Sequence, residues 1–362
     1  MRLRFIAPWA DRPVGGVLVI HELAEAMARR GHRVSIYHVP VSEMFRKAPR
    51  SRSGPRDGDR MEPPDWYEFD PELDIRHVLN ASLEQVLEGA PVAQSSDDAE
   101  VVFGYSPGMD DRPDLMPVVL IQGARMLVSS DETEAFRAPC PKICVASWLV
   151  DEGKRHGVPE QQLAHISPGI RHDKYRIRAP IDQRPPLVTY CHNPHLLKGA
   201  SVAIAALEEL HRSHPDVRVL AFGGGQRPRG FPNFAEYWRN PPQDVLVNEI
   251  LGRTTIFLQP SLVEGLGLPA IEAMACGAAL VTTDNGGSRD YAVPGRTALV
   301  VEGHDEMVAA MAALIDDEPT RLRMAAAGAD HVRTVFDWDR SARLTEAFLE
   351  RYLAAPQAHG RP

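Results

Sequence analysis

The beginning of the chain has the order strand, glycine-containing loop, helix, strand. Residues 3–7 form a short apolar run typical of a buried strand, and Gly15 and Gly16 follow in a loop. Apolar residues then recur at helical spacing over 17–30, and 33–39 has the composition of a second strand. This order predicts a parallel sheet, because the helix carries the chain back to the edge where the first strand began.

The second half of the chain repeats the pattern. A strand is predicted at 187–191, a helix at 198–213 and a strand at 217–222. The segment 170–186 is polar and rich in proline, and we place a domain boundary there. We therefore predict an α/β protein with two Rossmann-like parallel-sheet domains that face each other across a cleft, residues 1–170 and 171–339.

Between and after these units, the same criteria predict further elements. Strands are expected at 100–104, 118–122, 142–146, 163–167 and 279–283. Helices are expected at 147–156, 304–316, 319–335 and 338–353. Strands and helices thus alternate over the whole chain, as a doubly wound fold requires.

The composition argues against two classes of partner. The chain has 362 residues, a net charge of −9 and a pI near 5.9, which disfavours nucleic acid and broad contact with an anionic membrane. It has no apolar run of about 20 residues, so no transmembrane helix is expected, and the apolar run at 1–7 is too short for a signal peptide. The four cysteines show no paired zinc spacing, so we expect a reduced, cytoplasmic protein.

Residues 259–277 combine two carboxylates with a glycine-rich loop and the start of a helix. Glu264 follows a predicted buried strand, and Glu272 lies one turn into a short helix. Pro269 fits the first position of that helix, and Gly277 fits the position just after its end. The loop between the two carboxylates consists of Gly265, Leu266, Gly267 and Leu268.

This loop and its carboxylates suit a ligand that carries both phosphates and hydroxyls. The free N–H groups of a helix N-terminus bind phosphate, and glycines let the backbone approach a ligand closely. A carboxylate accepts two hydrogen bonds at once, so Glu272 suits a vicinal diol such as ribose and Glu264 suits the hydroxyls of a second sugar. The alternative is that Glu272 only complements the helix dipole and Glu264 is a solvated loop acid.

The arrangement resembles the retaining glycosyltransferases of family 4, the glycogen-synthase- and sucrose-synthase-like group 1 enzymes, which have the GT-B fold. Glu264 and Glu272, with seven residues between them, match the signature of that family. The surrounding residues 261–277 and the downstream residues 282–288 match it as well. Residues 15–32 look like the family's phosphate loop, first helix and Gly-His turn.

The resemblance implies a role for each of these residues. Glu272 would bind the ribose of a nucleotide sugar, and Glu264 would bind hydroxyls of the transferred sugar. Lys198 would neutralise the diphosphate leaving group, while Gly15 and Gly16 would contact the phosphates from the opposite domain.

The resemblance also assigns tasks to the domains. Residues 1–170 would hold the acceptor and 171–339 the donor, and a final helix at 340–353 would pack back on the first domain. No metal and no cofactor are expected, since cationic side chains and backbone N–H groups do that work in such enzymes.

Two positions depart from the family pattern. Asn193 stands where the family has an arginine five residues before Lys198, and Gln122 stands where many relatives have a histidine. We still count Asn193 among the donor-binding residues and Gln122 among the catalytic ones. A second cation for the leaving group could come from His192, His195 or Arg289.

The activity that follows is retaining transfer of a sugar from a nucleotide diphosphate sugar to an acceptor hydroxyl. Lys198 and the N–H groups of 266–268 would hold the departing diphosphate, and the acceptor proton would pass to a phosphate oxygen. The alternatives are a nucleotide-sugar epimerase of the same architecture and a catalytically degenerate nucleotide-sugar-binding protein.

The acceptor stays open between a saccharide, a natural product and a lipid-linked molecule, the last of which would need only peripheral membrane contact. The basic segment 46–65 is either a solvated loop or a segment that orders over the acceptor. Antibiotic tailoring and polysaccharide assembly fit the sequence equally well.

Overall fold

Two parallel sheets form the frame of the protein. The computed structural model describes residues 1–10, 14–39, 66–79, 100–103, 116–123 and 135–354. The predicted basic segment 46–65 lies outside these residues. In the described part, the first sheet has seven strands in the order β3-β2-β1-β4-β5-β6-β7, and the second has six in the order β10-β9-β8-β11-β12-β13. All neighbouring strands are parallel.

The strands of the first sheet are β1 Arg2–Pro8, β2 Arg33–Val39, β3 Ile75–Val78, β4 Glu100–Phe103, β5 Met116–Ile121, β6 Lys142–Cys144 and β7 Leu163–His165. Those of the second are β8 Leu187–Cys191, β9 Arg218–Gly223, β10 Glu236–Arg239, β11 Ile256–Gln259, β12 Ala279–Thr283 and β13 Ala298–Val301. Six strands of each sheet follow the same order, so the prediction of two Rossmann-like domains is confirmed.

Two edge strands were not predicted. β3 and β10 each lie at the edge of a sheet, and their sequences, IRHV and EYWR, lack an apolar run. An edge strand exposes part of its surface to water, so it does not need the continuous apolar residues of a central strand.

The longer helices are α1 Gly15–Arg29, α2 Ser147–Arg155, α3 Ala200–Ser213, α4 Leu268–Ala275, α5 His304–Asp316, α6 Glu318–Val335 and α7 Trp338–Ala354. A shorter irregular helical segment covers Gln243–Val245, Leu246–Ile250 and Leu251–Arg253. Most predicted helices agree to within two residues at each end.

Two helix starts differ from the prediction. Gly15 and Gly16 are the first two residues of α1 and are not in the loop before it. Lys198 ends a 3₁₀ turn, Leu196–Lys198, and α3 begins only at Ala200. Gly199 between them has a φ of +66°, and a Cβ there would lie 2.0 Å from the Pro260 carbonyl oxygen, so only glycine fits this turn.

The last helix packs on the first domain. Ala342, Phe348 and Leu349 of α7 belong to the same buried apolar cluster as Leu3 and Met27. The Arg30 Nε atom, just after α1, donates to Glu346 Oε2 of α7 at 2.9 Å. The chain therefore crosses between the two sheets twice, once before β8 and once after α6.

Candidate active site

The carboxyl ends of the strands meet at the place where ligands bind in such folds. The strand order reverses between β1 and β4 in the first sheet and between β8 and β11 in the second. The crevice at such a switch point is the usual ligand site of doubly wound sheets. Gly15 and Gly16 lie in the helix that follows β1, and Lys198 lies in the turn that follows β8. Glu264 and Glu272 lie in the loop and the helix that follow β11.

Glu264 is held by the loop in which it lies. Its Oε1 atom accepts hydrogen bonds from Ser261 Oγ at 2.7 Å and from Gln259 Nε2 at 3.0 Å. Its backbone N–H donates to the Asn285 carbonyl oxygen at 2.9 Å. The side chain is largely buried, so its orientation is fixed before any ligand arrives.

Lys198 is the partner of the second carboxylate oxygen. Its Nζ atom lies 2.7 Å from Glu264 Oε2, and both side chains are mostly shielded from water. The Leu262 N–H donates to the Leu197 carbonyl oxygen at 2.8 Å, which joins the two loops. The structure thus brings together two predicted residues that are 66 positions apart in the chain.

Glu272 projects from α4, which begins at Leu268, one residue earlier than predicted. Gly267 has a φ of +102° and precedes the helix, and a proline occupies one of its first positions. Glu272 is buried, and this burial raises the pKa of its carboxyl to about 7. The nearby Tyr175 acts in the opposite direction and lowers the pKa of this carboxyl.

The first domain contacts the glycine-rich loop directly. Gln122 Nε2 donates to the Gly16 carbonyl oxygen at 3.1 Å. A Cβ at Gly265 would lie 1.8 Å from the Gln122 carbonyl oxygen, and a Cβ at Gly15 would lie 3.7 Å from Leu268 Cδ1. The structure therefore brings Gly15, Gly16, Gln122, Gly265 and Leu268 together in a closed cleft.

Three further contacts between the domains were not predicted. Trp148 Nε1 donates to the Gly265 carbonyl oxygen at 2.8 Å. The Ser147 N–H donates to Asp290 Oδ2 at 2.9 Å, and His165 Nε2 lies 3.2 Å from the same oxygen. The partners in each contact are more than one hundred residues apart in the chain. The sequence therefore offers no signal for these contacts beyond the polar character of the residues.

The structure shows the surroundings of Asn193 and of two candidates for the second cation, His192 and Arg289. Asn193 Oδ1 accepts the N–H of His195 at 2.9 Å, so this amide oxygen is used within its own turn. Burial lowers the pKa of His192, which favours its neutral form. Arg289 is exposed and pairs with Asp284, with 2.8 Å between Nε and Oδ1.

The sequence of the second domain matches a known family. Residues 172–331 match the family described as glycosyl transferases group 1. The second domain belongs to the group 1 glycosyltransferases. This is a family of enzymes that transfer glycosyl groups.

Curated relatives agree with this assignment. The D-inositol 3-phosphate glycosyltransferase of Rhodococcus opacus is 31% identical over 287 residues, which cover 74% of this chain and 63% of the relative. That of Pseudarthrobacter chlorophenolicus is 28% identical over 261 residues, 66% of this chain and 58% of the relative. The chain thus matches less than two thirds of the length of these relatives.

Solved structures extend the likeness of the fold to almost the whole chain. Sucrose-phosphate synthase from Thermosynechococcus elongatus superposes with a TM-score of 0.70 at 16% identity, covering 98% of this chain and 99% of that one. Anabaena HepE in complex with UDP and glucose superposes with a TM-score of 0.69 at 14% identity, covering 97% and 100%. The predicted GT-B fold is confirmed. No helix in the described residues is long and apolar enough to cross a membrane.

Proposed function

We propose that this protein transfers a sugar from a nucleotide diphosphate sugar to a hydroxyl of an acceptor, with retention at the anomeric carbon. The contact between Lys198 and Glu264 carries the proposal, because it sets a cation beside an acid at the carboxyl edge of the donor domain. The cation suits a diphosphate, and the acid suits the hydroxyls of the sugar attached to it. Glu272, in the adjacent helix, is the group that we assign to the ribose.

In the proposed reaction the bond from the anomeric carbon to the phosphate oxygen breaks, and the acceptor oxygen forms the new bond on the same face. The acceptor proton passes to an oxygen of the leaving diphosphate. Lys198 and the N–H groups at 266–268 stabilise the charge that develops there, so no metal ion is required. Gly15 and Gly16, at the N-terminus of α1, face the same phosphates from the first domain.

For the acceptor, we propose a small polyol or a saccharide. The curated relatives described above are named for D-inositol 3-phosphate, and the Anabaena structure contains UDP and glucose. These names support a polyhydroxylated acceptor and a uridine nucleotide as the first to test. All four cysteines are free thiols, which supports a cytoplasmic setting.

The test is a transfer assay with UDP-glucose and related donors against inositol phosphates and simple sugars, with and without EDTA. Proton NMR of the product gives the anomeric configuration. An inverted product would overturn retention, and loss of activity in EDTA would overturn metal independence. Conversion of the donor without any acceptor to a nucleotide-bound epimer would favour the epimerase alternative.

A matched pair of variants tests whether Glu272 binds the nucleotide. Glu272→Ala should abolish the stabilisation of the protein by the nucleotide in a thermal-shift assay, whereas Glu249→Ala, an exposed acid paired with Arg253, should not. Nucleotide binding without transfer to any acceptor and without slow hydrolysis of the donor would favour the degenerate binding protein.

A further inference from the structure

Trp148 is the second residue of α2 in the first domain, and its indole contacts the second domain. The Nε1 atom donates to the Gly265 carbonyl oxygen at 2.8 Å, in the loop between Glu264 and Glu272. The side chain is buried, so this hydrogen bond is shielded from competing water. A residue of the first domain thus holds the loop that we assign to the diphosphate.

Glycine at position 286 makes room for the indole. Gly286 has a φ of +87°, and a Cβ there would lie 2.9 Å from Trp148 Cδ2 and from Trp148 Cε2. A larger residue would push the ring away from the Gly265 carbonyl oxygen. The Glu264 N–H donates to the Asn285 carbonyl oxygen at 2.9 Å, which keeps the loops after β11 and β12 side by side. The indole therefore lies against both loops.

The start of α2 is fixed by an acid of the second domain. The Ser147 N–H donates to Asp290 Oδ2 at 2.9 Å, and the Ser147 hydroxyl donates to Asp290 Oδ1. Ala146, at the N-cap position, makes no hydrogen bond with its side chain, so Asp290 caps this helix across the domain interface. The residue immediately before Trp148 is thereby held on the second domain.

The hydrogen bond to Gly265 determines the direction of the next N–H group. The peptide between Gly265 and Leu266 is planar and trans, so its N–H points opposite to its carbonyl oxygen. Because the carbonyl oxygen is directed to Trp148, the Leu266 N–H is directed away from the indole. Among the described residues, none accepts a hydrogen bond from the N–H groups of Leu266, Gly267 or Leu268. These three groups are therefore available to a ligand.

We propose that Trp148, fixed by the contact of Ser147 with Asp290, is a positioning residue that directs the N–H groups of 266–268 to the diphosphate of the donor. The inference rests on the proposed function, which assigns the diphosphate to these N–H groups. Donors that are held in place stabilise a developing negative charge without reorganising, so the contact supports both binding and transfer. Because α2 belongs to the first domain, the loop is held in this way only while the two domains are in contact.

The test measures nucleotide affinity by isothermal titration. UDP, GDP and ADP are first screened against the wild type, and the one that binds best is compared with its nucleoside, whose affinity is measured by displacement of the nucleotide. Trp148→Phe keeps an aromatic ring but removes the N–H. It should weaken the nucleotide about three- to tenfold, as expected for one lost hydrogen bond, and leave the nucleoside unchanged. Trp238→Phe, the same substitution at an exposed position of β10, should change neither.

Amide hydrogen exchange of the free protein gives a second readout, which needs no ligand. The Glu264 N–H, bonded to the Asn285 carbonyl oxygen, marks the start of the loop. Its exchange should be faster in Trp148→Phe, because the loop opens more often without the bond from the indole. Ser147→Ala removes one of the two bonds to Asp290. This variant should cause smaller changes in the same direction and serves if Trp148→Phe does not fold.

The outcomes distinguish this inference from the proposed function. If no nucleotide binds the wild type, or if Glu272→Ala binds it like the wild type, the proposed function fails and the positioning role fails with it. If Glu272→Ala loses binding while Trp148→Phe and Ser147→Ala keep wild-type affinity, only the positioning role is wrong. An equal loss for the nucleotide and the nucleoside in Trp148→Phe, or unchanged exchange of the Glu264 amide, would also overturn it.

Discussion

Lys198 Nζ lies 2.7 Å from Glu264 Oε2, so the two groups that we assign to the leaving diphosphate and to the transferred sugar neutralise each other in the cleft. Two charges held together in a mostly buried place need such a pairing, because either charge alone would be costly there. A donor that carries its own negative phosphates and its own hydroxyls can replace each partner of the pair. The ion pair therefore holds the two side chains in place.

This relationship predicts the effect of removing the cation. Lys198→Ala should lower kcat by about 100-fold or more, because a fixed charge beside the developing negative charge is lost. The fold should persist, since Glu264 keeps its bonds to Ser261 and Gln259. Steady-state kinetics measure the effect, with Lys154→Ala, an exposed residue paired with Glu160, as the control. Full turnover in Lys198→Ala would rule out the assigned role.

A second prediction concerns the closed cleft. Gly265→Ala should lower kcat/KM by more than about tenfold, because its Cβ would lie 1.8 Å from the Gln122 carbonyl oxygen and a buried close contact of this kind forces the backbone apart. Gly224→Ala is the matched control, since no heavy atom lies within 4 Å of a Cβ at that position. Equal activity of both variants would show that the contact between the domains is not needed in the reaction.

A third prediction concerns the last helix. Phe348 of α7 is 4% exposed in the core of the first domain, so Phe348→Ala should lower the free energy of unfolding by about 3–5 kcal/mol. Leu344 in the same helix is 41% exposed, and Leu344→Ala should change it by no more than about 0.5 kcal/mol. Urea unfolding followed by circular dichroism compares them. A small effect of both would mean that α7 contributes little to the first domain.

A fourth prediction concerns acid stability. Burial, with the nearby His38 and His77, lowers the pKa of His21 to about 3, and burial lowers that of His38 to about 4. Their unfolded values are higher, so the unfolded state takes up protons first, and the stability that these groups contribute is lost as the pH falls below about 6.5. His21→Phe, beside Tyr67 and Phe69, should flatten this decline. Melting temperatures measured from pH 8 down to about pH 4 provide the test. The same slope in wild type and variant would contradict the assignment.

The sequence determined the central strands and most helices. Strands and helices that are buried on one or both faces need apolar residues at those positions. Apolar runs and apolar residues at helical spacing therefore locate such elements in the sequence. The Glu264 and Glu272 loop was recognisable for a related reason, since glycine, proline and carboxylate at a helix start are local features. The edge strands β3 and β10 were not predicted, because a partly exposed strand does not need a run of apolar residues.

Only the tertiary structure decided which distant groups meet. Lys198 and Glu264 were each predicted, but their direct contact depends on Gly199 fitting against Pro260. Asn193 was predicted from its place before Lys198, and the structure adds that its side-chain oxygen accepts the N–H of His195. The bonds of Trp148 to Gly265 and of Ser147 to Asp290 join segments that are far apart in the chain. Which distant residues come into contact depends on how whole sheets and helices pack against each other, and this packing cannot be predicted from short stretches of sequence.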